Sequence, residues 1–237
     1  MTDGPTGRLG VSESLRRFVA EMEYERRPIL DFMLRAARET PPGASVVDVG
    51  AGDSPYRELF EHASYTATDW EHSPHEGVRA TDIVASAESI PVADESFDVV
   101  LLTQVLEHVP EPPAVVSELH RILRAGGRLY LTAPLVWELH ELPHDYYRYT
   151  APGLRHLMEA AGFTDVAIEP RTDCFTTLAQ LMLNVGHAMG RAPDGLDDRR
   201  EQARELLAEL AGQVADLAPL DTDRVLPLGY VAVGVRG

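Results

Sequence analysis

The residues Asp48-Val49-Gly50-Ala51-Gly52 close a short apolar run and stand immediately before a helical stretch. Glycines at such a place let the chain turn tightly and bring its backbone close to a ligand. A dinucleotide-binding turn would carry a third glycine at position 55, which holds Pro55, so a pyrophosphate cofactor is disfavoured. A second apolar run ends in Asp69-Trp70, 17 positions beyond Gly52. An acid at a strand end accepts from both hydroxyls of a ribose, and an adjacent indole covers an adenine face.

A second concentration of chemistry lies between Trp137 and Thr150, where imidazoles, phenols and a guanidinium share one connection. His144 is the candidate general base, because imidazole titrates near neutral pH and Asp145, Tyr146 and Tyr147 surround it with orienting groups. Tyr147 would shape the pocket wall, and Arg148 would grip an anionic or carbonyl group of the substrate or brace the loop. The structural alternative packs Tyr147 and Tyr149 beneath the next helix and pairs Arg148 with local acids. No metal site is expected: Pro143 opposes a helical pairing of His140 with His144, and His72 and His75 sit in a polar loop. Glu107-His108 reads as a helix-entry pair, His120 as a surface or satisfied side chain, and Cys174 as a small hydrophobe.

These residues need strand ends and loops to hold them. Val46 to Val49, Ser64 to Thr68, Val78 to Val84, Phe97 to Leu102 and Arg128 to Thr132 read as strands, with Val166 to Pro170 and Val225 to Val235 as a sixth and seventh. Helices are expected at Tyr56 to His62, at Pro113 to Arg124 with Gly126-Gly127 as its stop, and at Pro152 to Ala161 behind a Thr150 cap. Before them, Ser12 caps an amphipathic stripe of Leu15, Phe18, Val19 and Met22, which Pro28 interrupts or restarts. Residues 1 to 11 read as a frayed end, and 172–222 as mainly helical with a break from Gly190 to Asp198. Strands alternating with helices give a mostly parallel sheet covered on both faces, with ligands beyond the carboxyl ends of its strands.

Composition narrows the partners. The 237 residues carry a formal charge of -17, from 38 acids against 21 cations that are all arginine. So acidic a surface repels nucleic-acid backbones and anionic lipid. The absence of lysine excludes Schiff-base chemistry and a P-loop lysine. One cysteine cannot form an intrachain disulfide, no apolar run reaches the length of a membrane span, and no signal-like segment opens the chain, so a cytoplasmic setting is expected.

The ordered segments VVDVGAGDSPY, TATDW, SAESIPVADESFDVVLLTQVLEHV and ELHRILRAGGRLYLTAP together resemble the class I S-adenosylmethionine-dependent methyltransferases, in the subgroup of bacterial small-molecule enzymes. The resemblance runs from Val46 to Phe163. It implies an α/β, Rossmann-like fold with a seven-stranded sheet, order 3-2-1-4-5-7-6, strand 7 antiparallel. It further implies that Asp48, Gly50 and Gly52 hold the methionine part of S-adenosylmethionine, that Asp69 holds the ribose, and that Ser86, Ala87 and Glu88 flank the adenine beside Trp70. Many relatives carry Asp where this chain has Ser86. Thr103 and Gln104 would lie beside the methionine moiety.

On this reading residues 1–40 form a helical lid and 41–237 the methyltransferase domain, with 172–222 as a helical insertion between strands 6 and 7. The expected reaction moves a methyl group to oxygen or nitrogen of a small molecule, a specialised metabolite or sugar-bearing intermediate, leaving S-adenosylhomocysteine. A monomer or homodimer is expected. The alternatives are a protein or RNA methyltransferase, for which the acidic composition offers no basic face, and a non-catalytic cofactor-binding protein of the same fold.

Overall fold

A computed structural model describes residues 10–73, 81–190 and 197–237. The chain opens with helices α1 (Glu13–Ala20) and α2 (Glu23–Glu39). Ser12 caps α1, its hydroxyl accepting from the Leu15 N–H at 3.1 Å. The break between the two helices falls at Glu21 and Met22, and α2 runs straight through Pro28. Proline removes one backbone donor there, a loss that burial of Ile29, Leu30, Phe32 and Met33 outweighs.

The alternating region supplies β1 (Ser45–Val49), β2 (Ser64–Asp69), β3 (Ile83–Val84), β4 (Phe97–Thr103), α3 (Pro112–Ile122), β5 (Leu123–Pro134), α4 (Ala151–Ala160) and β6 (Phe163–Pro170). Helices α5 (Cys174–Gly190) and α6 (Asp197–Ala215) and strand β7 (Gly229–Arg236) follow. The strands form one sheet of order β3-β2-β1-β4-β5-β7-β6, with β7 antiparallel to both neighbours. Of the weak third strand, Ile83 and Val84 pair with β2, while 78–80 lie outside the described residues, as do residues 1–9, His75 and 191–196.

Alternation along each strand divides the core. Val47, Val100, Leu102, Leu129 and Leu131 meet α3 and α4 on one face. Val46, Val99, Leu101 and Tyr130 meet α1 and α2 on the other, through Leu15, Val19, Phe32, Met33 and Ala36. Because α2 already covers this second face, the segment after β1 buries Tyr56 and Phe60 in it, with Leu59 and Ala63 partly buried beside them, and makes a 3₁₀ turn, Arg57–Phe60, where a helix over 56–62 was expected. A turn that short does not offset helix nucleation. Helix α3 likewise ends at Ile122, before the expected stop at Gly126-Gly127, because Leu123 is already paired with Phe97 in the sheet. Helices α5 and α6 pack mainly on each other, with α5 against α2. Among the described residues no helix is long and apolar enough to cross a membrane.

Candidate active site

Parallel pairing of β1, β2 and β4 brings three strand ends side by side, and the turns leaving them enclose a cavity of about 450 Å³. Its wall comes from Gly50 after β1, Asp69, Trp70, His72 and Ser73 after β2, Ala85 to Glu88 after β3 and Gln104, Val105 and His108 to Pro110 after β4, closed by Glu141, Leu142, His144 and Tyr146.

At the first of these ends Gly50 has φ +68, and a Cβ there would sit 2.5 Å from Val105 Cγ2. Glycine is required both for the turn and for close approach to the neighbouring loop. Gly52 is also left-handed, φ +53, and its N–H donates to Asp69 Oδ2 at 2.8 Å. Asp69 Oδ1 accepts from the Trp70 N–H at 2.7 Å, and the Ser73 hydroxyl lies 3.3 Å from Oδ2. These bonds lock the carboxylate onto the first turn while it faces the cavity. Three of roughly four lone-pair directions are engaged by the protein, and the longest bond, from the Ser73 hydroxyl at 3.3 Å, is the one a ligand hydroxyl can replace.

Asp48 stands behind the wall. Its carboxyl is buried, Oδ2 accepts from the Tyr65 hydroxyl, and Oδ1 has no hydrogen-bond partner. Burial pushes its pKa up to about 7. An orphaned buried oxygen at the turn is a fit for a donor brought in by a ligand. Of the cofactor residues expected from sequence, Gly50, Asp69, Trp70, Ser86, Ala87, Glu88 and Gln104 line the cavity. Asp48, Gly52 and Thr103 are not among its lining; Asp48 and Gly52 lie two residues either side of Gly50, and Thr103, one residue before Gln104, pairs in register with Thr132. Gln104 is held with φ +54 while its amide donates to Thr132 Oγ1 at 2.8 Å, which turns the residue out of the strand and onto the cavity.

The other end of the cavity is built from a loop fastened to the β4 exit. Tyr146 and Tyr147 N–H groups donate to Glu107 O, at 2.9 and 3.2 Å, the Tyr147 hydroxyl donates to Pro110 O at 3.0 Å, and the buried Tyr149 hydroxyl donates to Leu106 O at 2.7 Å. His144 lies on the wall, edge-on to Trp70 with ring centroids 5.1 Å apart and its Nδ1 3.2 Å from the Tyr146 hydroxyl. Tyr147 and Arg148, expected beside the substrate, do not line the cavity. Tyr147 is anchored by its hydroxyl to Pro110, and Arg148 grips Asp145 with both terminal nitrogens, at 2.5 and 2.8 Å, and reaches Glu138 O at 2.8 Å. The Arg148 hydrogen bonds hold the Asp145 carboxyl well below the usual carboxylate range. Bracing, the second of the two roles open to Arg148, is what this geometry provides.

His108, expected with Glu107 as a structural helix-entry pair, lines the cavity, and Glu107 stands behind it. Glu107 is fully buried with neither carboxyl oxygen hydrogen-bonded, and burial pushes its pKa up to about 8. The available signal was position: the two residues follow directly on a strand whose end was already assigned to ligand binding. Helices α1 and α2 contribute no described residue to the cavity lining, so the segment expected as a lid serves here as a layer over the sheet.

Residues 47–131, which include all three strand ends, match the model of the methyltransferase domain family. That stretch of the chain is similar to a methyltransferase domain. An uncharacterized methyltransferase of Mycobacterium sp. (strain KMS) is 32% identical over 133 residues, 53% of this chain and 52% of that protein. The chain thus spans about half the length of the curated relatives it matches first. In three dimensions the chain resembles a SAM-dependent methyltransferase from Archaeoglobus fulgidus, with a TM-score of 0.58, 17% identity and coverage of 92% of this chain and 97% of the other. It also resembles the [4+2]-cyclase SpnF, with a TM-score of 0.58, 19% identity and coverage of 88% and 81%. At these identities the two structures establish the shared fold.

Proposed function

We propose that this chain is an S-adenosylmethionine-dependent methyltransferase acting on oxygen or nitrogen of a small-molecule acceptor. The observation that carries the reading is the Asp69 carboxylate, fixed by Gly52 and Trp70 N–H groups at the rim of a glycine turn and facing the cavity. Asp69 holds the ribose, Trp70 with Ser86, Ala87 and Glu88 surrounds the adenine, and Asp48, Gly50, Gly52, Thr103 and Gln104 hold and shape the methionine end. The buried Asp48 oxygen without a partner suits the amino group at that end. When bound, S-adenosylmethionine supplies a methyl group on a sulfonium, an electrophile that needs no further activation.

What remains for the protein is to hold the acceptor in line and to manage its proton. Positioning alone supplies on the order of 7–11 kcal/mol where the bound geometry approaches that of reaction. His144 is placed on the cavity wall to take a proton from an acceptor hydroxyl, while an amine already neutral needs no base. A cavity of about 450 Å³ suits a small molecule, and a charge of -17 disfavours RNA. One observation favours a second reading: the similar fold of a [4+2]-cyclase shows that this architecture also hosts other chemistry.

Calorimetry with S-adenosylmethionine and S-adenosylhomocysteine tests the first reading. Both bind the wild type, and Asp69→Ala weakens binding tenfold to a hundredfold, about 1.5–3 kcal/mol for lost charge-assisted hydrogen bonds. Unchanged affinity in that variant overturns the assignment.

A further inference from the structure

Glu107, His108, His140 and Glu141 converge at the end of the cavity away from Asp69. One ligating atom each from Glu107, His108 and His140 lies within 4.8 Å of the other two. His108 Nε2 is 3.9 Å from Glu107 Oε1 and 3.8 Å from Glu141 Oε2. The two imidazoles stand edge to face, ring centroids 4.6 Å apart.

Each imidazole has the tautomer that metal binding needs. His108 Nδ1 is 2.9 Å from the His144 carbonyl oxygen, and His140 Nδ1 is 3.2 Å from Glu138 O and 3.4 Å from Asp145 Oδ2. Carbonyls and carboxylates only accept, so both Nδ1 atoms donate to them, and Nε2 is the ring nitrogen left to each imidazole for a ligand. A backbone carbonyl or a carboxylate behind the outer nitrogen is how metal-binding histidines are oriented. Asp145 is itself fixed by Arg148.

Glu107 supplies an independent observation. Its side chain is fully buried, and neither oxygen has a hydrogen-bond partner. A carboxyl in that state is costly unless it is paired or coordinates a metal. Ligand atoms around a tetrahedral cation lie about 3.4 Å apart, as follows from bonds of about 2.1 Å. The separations of 3.8 and 3.9 Å close to that value by small rotations of the two glutamates.

We propose that Glu107, His108, His140 and Glu141 form a site for one divalent transition-metal cation at the acceptor end of the cavity. Two imidazoles with two carboxylates select a transition ion over Mg²⁺ or Ca²⁺, which take mostly oxygen ligands. This proposal departs from the sequence expectation of no metal, which weighed His140 with His144 and did not pair His140 with His108. The role of the cation rests on the methyltransferase reading: His108 and Glu141 line the cavity, so a cation between them meets the acceptor. It favours an acceptor presenting a hydroxyl oxygen, whose proton is released more readily on the metal and passes to His144.

The test uses the whole chain, stripped with a chelator and titrated with Zn²⁺ by calorimetry and with Co²⁺ by visible absorption. One Zn²⁺ per chain and Co²⁺ ligand-field bands are expected. His140→Gln and Glu107→Gln each weaken binding tenfold or more, while His187→Gln on distant α5 leaves it unchanged. If Glu107→Gln fails to fold, His140→Gln decides, since that imidazole is partly exposed. Absence of stoichiometric Zn²⁺ binding, or binding insensitive to His140→Gln, overturns the site. S-adenosylmethionine affinity is measured on the same stripped protein. Loss of the metal alone sinks the cation proposal, whereas metal binding without cofactor binding sinks the methyltransferase reading.

Discussion

The two ends of the cavity are made by different means. The Asp69 end is backbone geometry: glycine turns at strand ends, a carboxylate accepting from main-chain N–H groups, and strands locked in register. The His144 end is side-chain geometry, in which one loop is fastened to another by tyrosine hydroxyls, an imidazole and an Arg148–Asp145 pair. A turn set by backbone geometry tolerates little change and can serve one ligand in many relatives. A surface made by side-chain fastening can be redrawn by a few substitutions, which suits the part of an enzyme that selects its substrate.

That contrast is broken most severely at Arg148. Arg148→Ala strands the buried Asp145 carboxylate, and loss of one partner of such a pair costs about 3–5 kcal/mol, near the low end here because Arg148 is partly exposed. Thermal denaturation should show it, with cofactor affinity per folded molecule unchanged. Weakened cofactor binding in that variant means the two ends are not independent.

At the opposite end the buried Asp48 gives a pH signature. Its folded pKa, raised to about 7, exceeds the ordinary 3.8, so the folded state holds the proton more tightly than the unfolded state. Ligand-free stability from this group is therefore fully present below pH 4 and is lost as pH rises through about 7, on the order of 4 kcal/mol over the window. Asp48→Asn should flatten that slope in denaturant titrations run at several pH values. An equal slope in wild type and variant shows that Asp48 ionises normally.

His144→Ala sharpens the comparison. For a hydroxyl acceptor, turnover should fall about a hundredfold, or 2.7 kcal/mol, with S-adenosylmethionine affinity almost unchanged. A much smaller fall is expected for a neutral amine. Joint loss of cofactor binding and turnover makes His144 a structural residue.

The smallest expected effect is Gly50→Ala, about 1–3 kcal/mol of stability, because its φ of +68 is strained for alanine and the new methyl meets Val105. Cofactor binding should weaken with it, whereas acceptor-end variants spare it. Unaltered stability and affinity would mean that the turn relaxes around the methyl group.

Most of the cofactor end was legible in the sequence because its signals are local. Glycines before a helical stretch, an acid at fixed spacing and period-two apolar strands each fall within a short window, and the residues expected there line the cavity or stand within two positions of a residue that does. The His144 end was legible only in part. The loop from His140 to Tyr149 was located by its unusual density of functional groups, yet Tyr147 and Arg148 face away from the cavity and His108 faces it. No periodicity links position 108 to position 140, and only the pairing of β4 with β5 brings their loops together.

By itself, the sequence determined the order of strands and helices, the glycine turn, the Asp69 rim and the acidic charge, since all of these follow from local backbone preference or composition. The tertiary structure decided which face α2 covers, which arginine braces a loop, and that a buried glutamate meets two imidazoles. Those outcomes depend on packing and hydrogen-bond partners distant in sequence, whose geometry exists only once the sheet has set the register.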